Sequence, residues 1–136
     1  MNTAIATEFY WLTLTVLMTS LFWIPYILNR LKELEPWPAL WNSEPDPAPI
    51  AKWANRAIHA HYNAVENLVV FAPLVIMIVI SDKSSDLTAN ACMIYFFSRL
   101  AHFIVYTIGV QLIRTLIYFV GLFCQYALAL VLLGVL

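Results

Sequence analysis

Residues 115–136, TLIYFVGLFCQYALALVLLGVL, contain no Asp, Glu, Lys or Arg in 22 positions. About 20 apolar residues are what an α-helix needs to cross the hydrocarbon of a bilayer. Working back from that stretch, three more runs of the same kind appear. The spans are expected at about 9–28, 50–80, 87–109 and 113–136 in a single domain. The second is apolar only in its later part, Leu68–Ile80 (LVVFAPLVIMIVI), and is charged and amphipathic before it. Between the first two spans lie Pro36, Pro38, Pro45, Pro47 and Pro49, a density that predicts a loop without helix. SDKSSD, residues 81–86, predicts a short solvated turn. The fold class that follows is an all-α membrane protein, a bundle of four transmembrane helices.

Composition agrees and excludes other classes. The 136 residues are 62% hydrophobic and 11% charged, with a mean hydropathy of +0.79; a soluble domain carries about 25% charged residues. A net charge of −1 and the lack of a Lys/Arg-rich tail argue against nucleic acid as a partner. Cys92 and Cys124 lie in apolar runs and read as small core residues. The first residues lack a basic segment, so no cleavable leader is expected. Lys and Arg in the flanks (Arg30, Lys32, Lys52 and Arg56 around the first loop, Lys83 alone in the second, Arg114 in the third) place loops one and three in the cytoplasm. Both termini are then expected on the opposite side.

Ionisable groups within spans are costly and call for a reason. With the expected topology they share one leaflet. Arg56, His59, Asn63 and Glu66 stand at i, i+3, i+7 and i+10, a single helical stripe; Arg99, His102 and Tyr106 stand at i, i+3 and i+7. Two such stripes on different helices can face one another and satisfy each other's hydrogen bonds. Glu66 reads as the lone carboxylate inside a span, with an arginine such as Arg99 for its partner. Arg30 and Arg114 close the first span and open the fourth. A metal is not expected: His59 and His61, two residues apart, point about 200° from each other on a helix. Plainer readings stand beside these: Arg30, Lys32 and Lys52 as snorkelling residues, Trp37, Trp41 and Trp53 as an interfacial belt, and Glu66 with Arg99 as a structural pair.

The segments Arg56–Pro73 (RAIHAHYNAVENLVVFAP) and Arg99–Arg114 (RLAHFIVYTIGVQLIR) resemble the MAPEG family, membrane-associated proteins in eicosanoid and glutathione metabolism. The resemblance implies glutathione as co-substrate, contacted by Asn63 and Glu66 on the second helix and by Arg99, His102 and Tyr106 on the third. Arg114 falls where the family has the arginine proposed to activate the thiol, and Arg30 matches the one ending its first helix. Where the family commonly has an arginine four residues before the helix-two Asn, this chain has His59; Arg56 lies one turn earlier. The resemblance therefore assigns Arg114 and Tyr106 to catalysis, and Arg30, Arg56, His59, Asn63, Glu66, Arg99 and His102 to glutathione binding. It implies a transferase or peroxidase acting on lipophilic substrates that arrive through membrane lipid, in a homotrimer. Two other classes fit the residues: a non-catalytic accessory or lipid-binding subunit of the same fold, and a proton or solute pathway through Glu66 and the histidines.

Overall fold

The computed structural model describes residues 4–41 and 43–136. Its elements are α1 (Thr7–Leu21), α2 (Ile24–Glu33), α3 (Pro36–Trp41), α4 (Lys52–Ile80), α5 (Asp86–Ile108) and α6 (Gln111–Leu132), and the described residues contain no strand. Taking α1 and α2 as one broken span, four helices are long and apolar enough to cross a membrane. This is the all-α, four-span architecture that the hydropathy pattern predicts.

The first span is not a straight rod. Pro25 sits in the first turn of α2, where its missing N–H costs nothing. The chain bends at Phe22 and Trp23 just ahead of it, and the Phe22 amide turns back to the Thr19 carbonyl at 3.3 Å. The span also runs further than residue 28, to Glu33.

The proline-rich connection differs from the loop expected there. Pro36–Trp41 (PWPALW) is a short helix. Both of its prolines fall in the first turn, whose amides have no intrahelical acceptor, so proline density there does not forbid helix. Beyond it the chain is tied back to α2. Arg30 pairs with Asp46, and the Glu33 carboxylate accepts from the amides of Ile50 (3.0 Å) and Ala51 (2.9 Å) and from Asn29. Those two amides lead into α4, so Glu33 anchors the N-terminus of the longest helix with negative charge at its positive end.

Small side chains set how the helices pack. The buried face of α4 at this end is Ala54, Ala57, Ala60 and Ala64, against which Phe22 and Phe103 stack with ring centroids 3.9 Å apart. Small residues let membrane helices approach closely, where dispersion rather than hydrophobicity holds them. Further along, Phe71, Val75, Ile78, Cys92, Tyr95, Cys124 and Leu128 make the second core, with Phe71 and Tyr95 stacked at 3.7 Å. Both cysteines are free and buried in it.

At the far end of the bundle the solvated turn closes on a polar contact that the sequence reading did not foresee. Ser85 caps α5 in a reciprocal capping box with Thr88. The Thr88 hydroxyl also donates to Glu8, which is 2% exposed. Glu66 is therefore not the lone carboxylate within a span: Glu8 begins one, made tolerable by this hydrogen bond. Replacing Thr88 with Val should lower unfolding stability in detergent by about 1–3 kcal/mol, since it strands a buried acceptor. Thermal denaturation of the Thr88→Val and Thr88→Ser variants measures this, with Ser expected to retain most of the stability.

Candidate functional site

The sequence-derived site residues divide into two groups. The first lies on α4 and α2. Angular positions at 100° per residue put the stripe of His59, Asn63 and Glu66 roughly 130° away from the Ala57–Ala60–Ala64 face. Because the alanine face is the one buried against α1 and α5, the stripe looks outward: His59 and Glu66 are exposed and Asn63 is half-buried. Asn63 accepts from the side chain of Asn67 (2.8 Å to the carbonyl), and Asn67 in turn receives Gln125 from α6. Above the stripe, a cleft of about 610 Å³ opens between α2, the start of α4 and the proline-rich segment. Arg30, Glu33, Asp46, Tyr26, Asn55, His59 and Tyr62 supply its polar lining.

Arg56 belongs to the same stripe in sequence but has another partner. Its guanidinium donates to the carbonyls of Thr107 (2.9 Å) and Ile108 (3.3 Å), two of the orphan acceptors at the end of α5. Gly109, with φ +100°, ends that helix, and a Cβ on it would come within 3.1 Å of the Arg56 guanidinium. Arg56 thus clamps the α5–α6 corner to α4.

The second group lies between α5 and α6. Arg99 is 2% exposed. Its guanidinium carbon sits 5.4 Å from the ring centroids of both Tyr95 and Tyr118, and Nη2 donates to the Tyr118 carbonyl at 3.1 Å. Nε and Nη1 have no hydrogen-bond partner. The helix opposite makes room for it with Gly121, where a Cβ would lie 2.3 Å from Nη2. His102, also buried, contacts the rings of Tyr106 and Tyr118. Arg114, at the start of α6, stacks its guanidinium over Tyr106 with 4.4 Å to the ring centroid. Tyr106 is the hinge of this group, touching both the buried histidine and the partly exposed arginine.

Within one protomer these groups do not meet. Glu66 forms no ion pair with Arg99, contrary to the pairing expected from the stripes, and Arg99, His102, Tyr106 and Arg114 are absent from the lining of the Arg30–His59 cleft. The reason is rotational: α4 spends its inward face on alanines, which leaves its polar face outside the bundle. Sequence reasoning missed Tyr26, His61, Glu33 and Asp46. Tyr26 and His61 are joined by a 2.8 Å hydrogen bond, and their separation by 35 residues left no local signal.

The fold and these polar groups define a four-span integral membrane protein with ionisable side chains gathered toward one end of the bundle. The chain belongs to the MAPEG family, whose sequence model matches residues 9–134. Comparison with curated proteins and with solved structures gives no match.

Gly121→Ala tests the notch that admits Arg99. The added methyl cannot coexist with the guanidinium in place, and displacing a buried cation from two rings and a carbonyl should cost about 2–4 kcal/mol. Unfolding midpoints should show Gly121→Ala less stable than the wild type, and Gly121→Ala with Arg99→Leu partly restored.

Proposed function

We propose that this protein is a membrane-embedded glutathione transferase or glutathione-dependent peroxidase acting on lipophilic electrophiles or hydroperoxides, its site completed between neighbouring copies in a homotrimer. The observation that carries the reading is the pair of incomplete half-sites, one on α4 and α2 with an unpaired carboxylate, the other on α5 and α6 with a buried guanidinium short of partners. A helix of 29 residues is about 44 Å long, against a hydrocarbon core of about 30 Å. With Leu68–Ile80 inside the core, Glu66 falls inside as well, where a charge facing lipid costs about 3 kcal/mol. A second protomer that covers this face removes that cost. The two half-sites are different surfaces, so a contact joining one to the other is heterologous, the kind of contact that builds a ring such as a trimer when the rotation between copies closes.

The charge pattern suits glutathione, which bears two carboxylates and one ammonium. Arg30 and Arg99 supply guanidinium groups for the carboxylates, and Glu66 with Asn63 a carboxylate and amide for the amine and peptide. Arg56, engaged with the end of α5, contributes positive potential and holds the corner. The ligand brings its own nucleophile. A free thiol has a pKa of about 8.5, and the Arg114 guanidinium beside it favours the thiolate by direct charge attraction. Tyr106, stacked beneath Arg114, and His102 add hydrogen bonds. With loops one and three cytoplasmic, the peptide enters from the cytosol and the second substrate from the bilayer.

Adding glutathione to protein purified in detergent should produce a thiolate band in the ultraviolet difference spectrum. Arg114→Ala should lose that band while calorimetry still detects binding, and Glu66→Gln should weaken binding about ten-fold, equivalent to about 1.4 kcal/mol. Absence of both band and binding in the unsubstituted protein would refute the reading. His59, in place of the family's common arginine, favours a second one: an accessory subunit that binds without turnover, recognised by a thiolate band with no conjugation or peroxide reduction.

A further inference from the structure

The break in the first span is bridged by a side chain from another helix. His61 on α4 reaches both the bend and α2: its ring meets Phe22 edge-on with centroids 6.2 Å apart, and Nδ1 lies 2.8 Å from the Tyr26 hydroxyl. In the neutral tautomer protonated at Nε2, Nδ1 presents a lone pair and the Tyr26 O–H donates to it. A tyrosine hydroxyl backed by an imidazole acceptor has the arrangement of a general acid–base pair. The same Tyr26 lines the 610 Å³ cleft, whose walls combine Ile27, Ile58 and the rings of Pro47 and Pro49 with the polar groups described above. Tyr62, the other tyrosine of the cleft, is 60% exposed and has no imidazole behind it.

We propose that Tyr26 and His61 form a proton relay that takes the thiol's proton and returns it to the leaving oxygen of a lipophilic hydroperoxide held in this cleft. The proposal rests on the glutathione reading above and names Tyr26 as a catalytic residue and His61 as the group that acts through it. The thiol's proton needs an acceptor, and Arg114 has none, since a guanidinium offers donors only. In the first step the S–H bond breaks, its proton passes to the phenolic oxygen and the Tyr26 proton passes to Nδ1, which leaves a thiolate and an imidazolium. The imidazolium donates from Nδ1 to the Tyr26 oxygen, so the phenolic proton turns to the cleft. The thiolate then attacks the distal oxygen of the hydroperoxide: an S–O bond forms, the O–O bond breaks, and the electron pair leaves on an alkoxide. Tyr26 protonates the alkoxide and recovers its proton from Nδ1. The products are an alcohol and the sulfenic acid of glutathione, which a second glutathione converts to the disulfide with release of water. An alkoxide is about as basic as hydroxide, so it leaves poorly without a proton. Chloride expelled from an aryl halide needs none.

That contrast provides the test. The full chain in detergent, with glutathione, is assayed with cumene hydroperoxide and with chlorodinitrobenzene, and the ratio of the two kcat values is compared among variants. Tyr26→Phe should lower the ratio of hydroperoxide to aryl-halide turnover by about 100-fold, the scale of general acid catalysis. His61→Gln, whose amide can still accept from Tyr26 but cannot store a proton, should lower it similarly, and gives the same reading should Tyr26→Phe fail to fold. Tyr62→Phe should leave the ratio within two-fold. Parallel slowing of both substrates, or no change in either relay variant, overturns the relay and leaves the glutathione reading intact. No turnover of either substrate by the unsubstituted protein overturns both.

Discussion

The close approach of α4 to α1 and α5 over Ala54, Ala57, Ala60 and Ala64 is the contact on which the remaining geometry depends. In lipid, helices gain little from hiding apolar surface, so a face of small residues that admits backbone-to-backbone proximity decides which way a helix turns. Once α4 commits that face inward, His59, Asn63 and Glu66 are carried outward together. The stacked pair of Phe22 and Phe103 fills the space above the alanines and fixes the bend of the first span beside them.

From that rotation follows the division of polar groups. Several polar side chains of the protomer are committed at helix ends: Arg56 to the end of α5, Glu33 to the start of α4, Glu8 to the Thr88 hydroxyl, and Lys83 to the carbonyls of Val131 and Leu132 at the end of α6. These are helix-end contacts, where backbone groups lack internal partners. The stripe on α4 and the guanidinium of Arg99 stand apart from this pattern because their groups are not used in holding helix ends. The unused hydrogen-bonding capacity is the physical basis of the functional reading.

Arg99 shows how such a group can be held in place without a carboxylate partner. Two tyrosine faces and one carbonyl orient the guanidinium, and Gly121 removes the methyl that would block it. Rings accept positive charge without carrying a negative one, so the residue stays fixed while keeping its attraction for an anion. Arg114 over Tyr106 repeats the device at the surface of the same helix pair.

By itself the sequence determined the number of spans, their approximate limits and which residues are expensive enough in hydrocarbon to need a reason, because those depend on local composition and the length of a helix. It also carried the polar stripes by which the chain resembles its family, Asn63 with Glu66 and Arg99 with His102 and Tyr106. It left open which face of α4 turns inward, since a stripe at helical spacing is equally compatible with the interior and with a neighbouring chain. The tertiary structure decided that, separated Glu66 from Arg99, turned Pro36–Trp41 into helix, gave Arg56 to the end of α5 and brought Tyr26 to His61. Each of these rests on contacts between segments tens of residues apart, where rotation and packing of whole helices, not the pattern along any one of them, fix the partner.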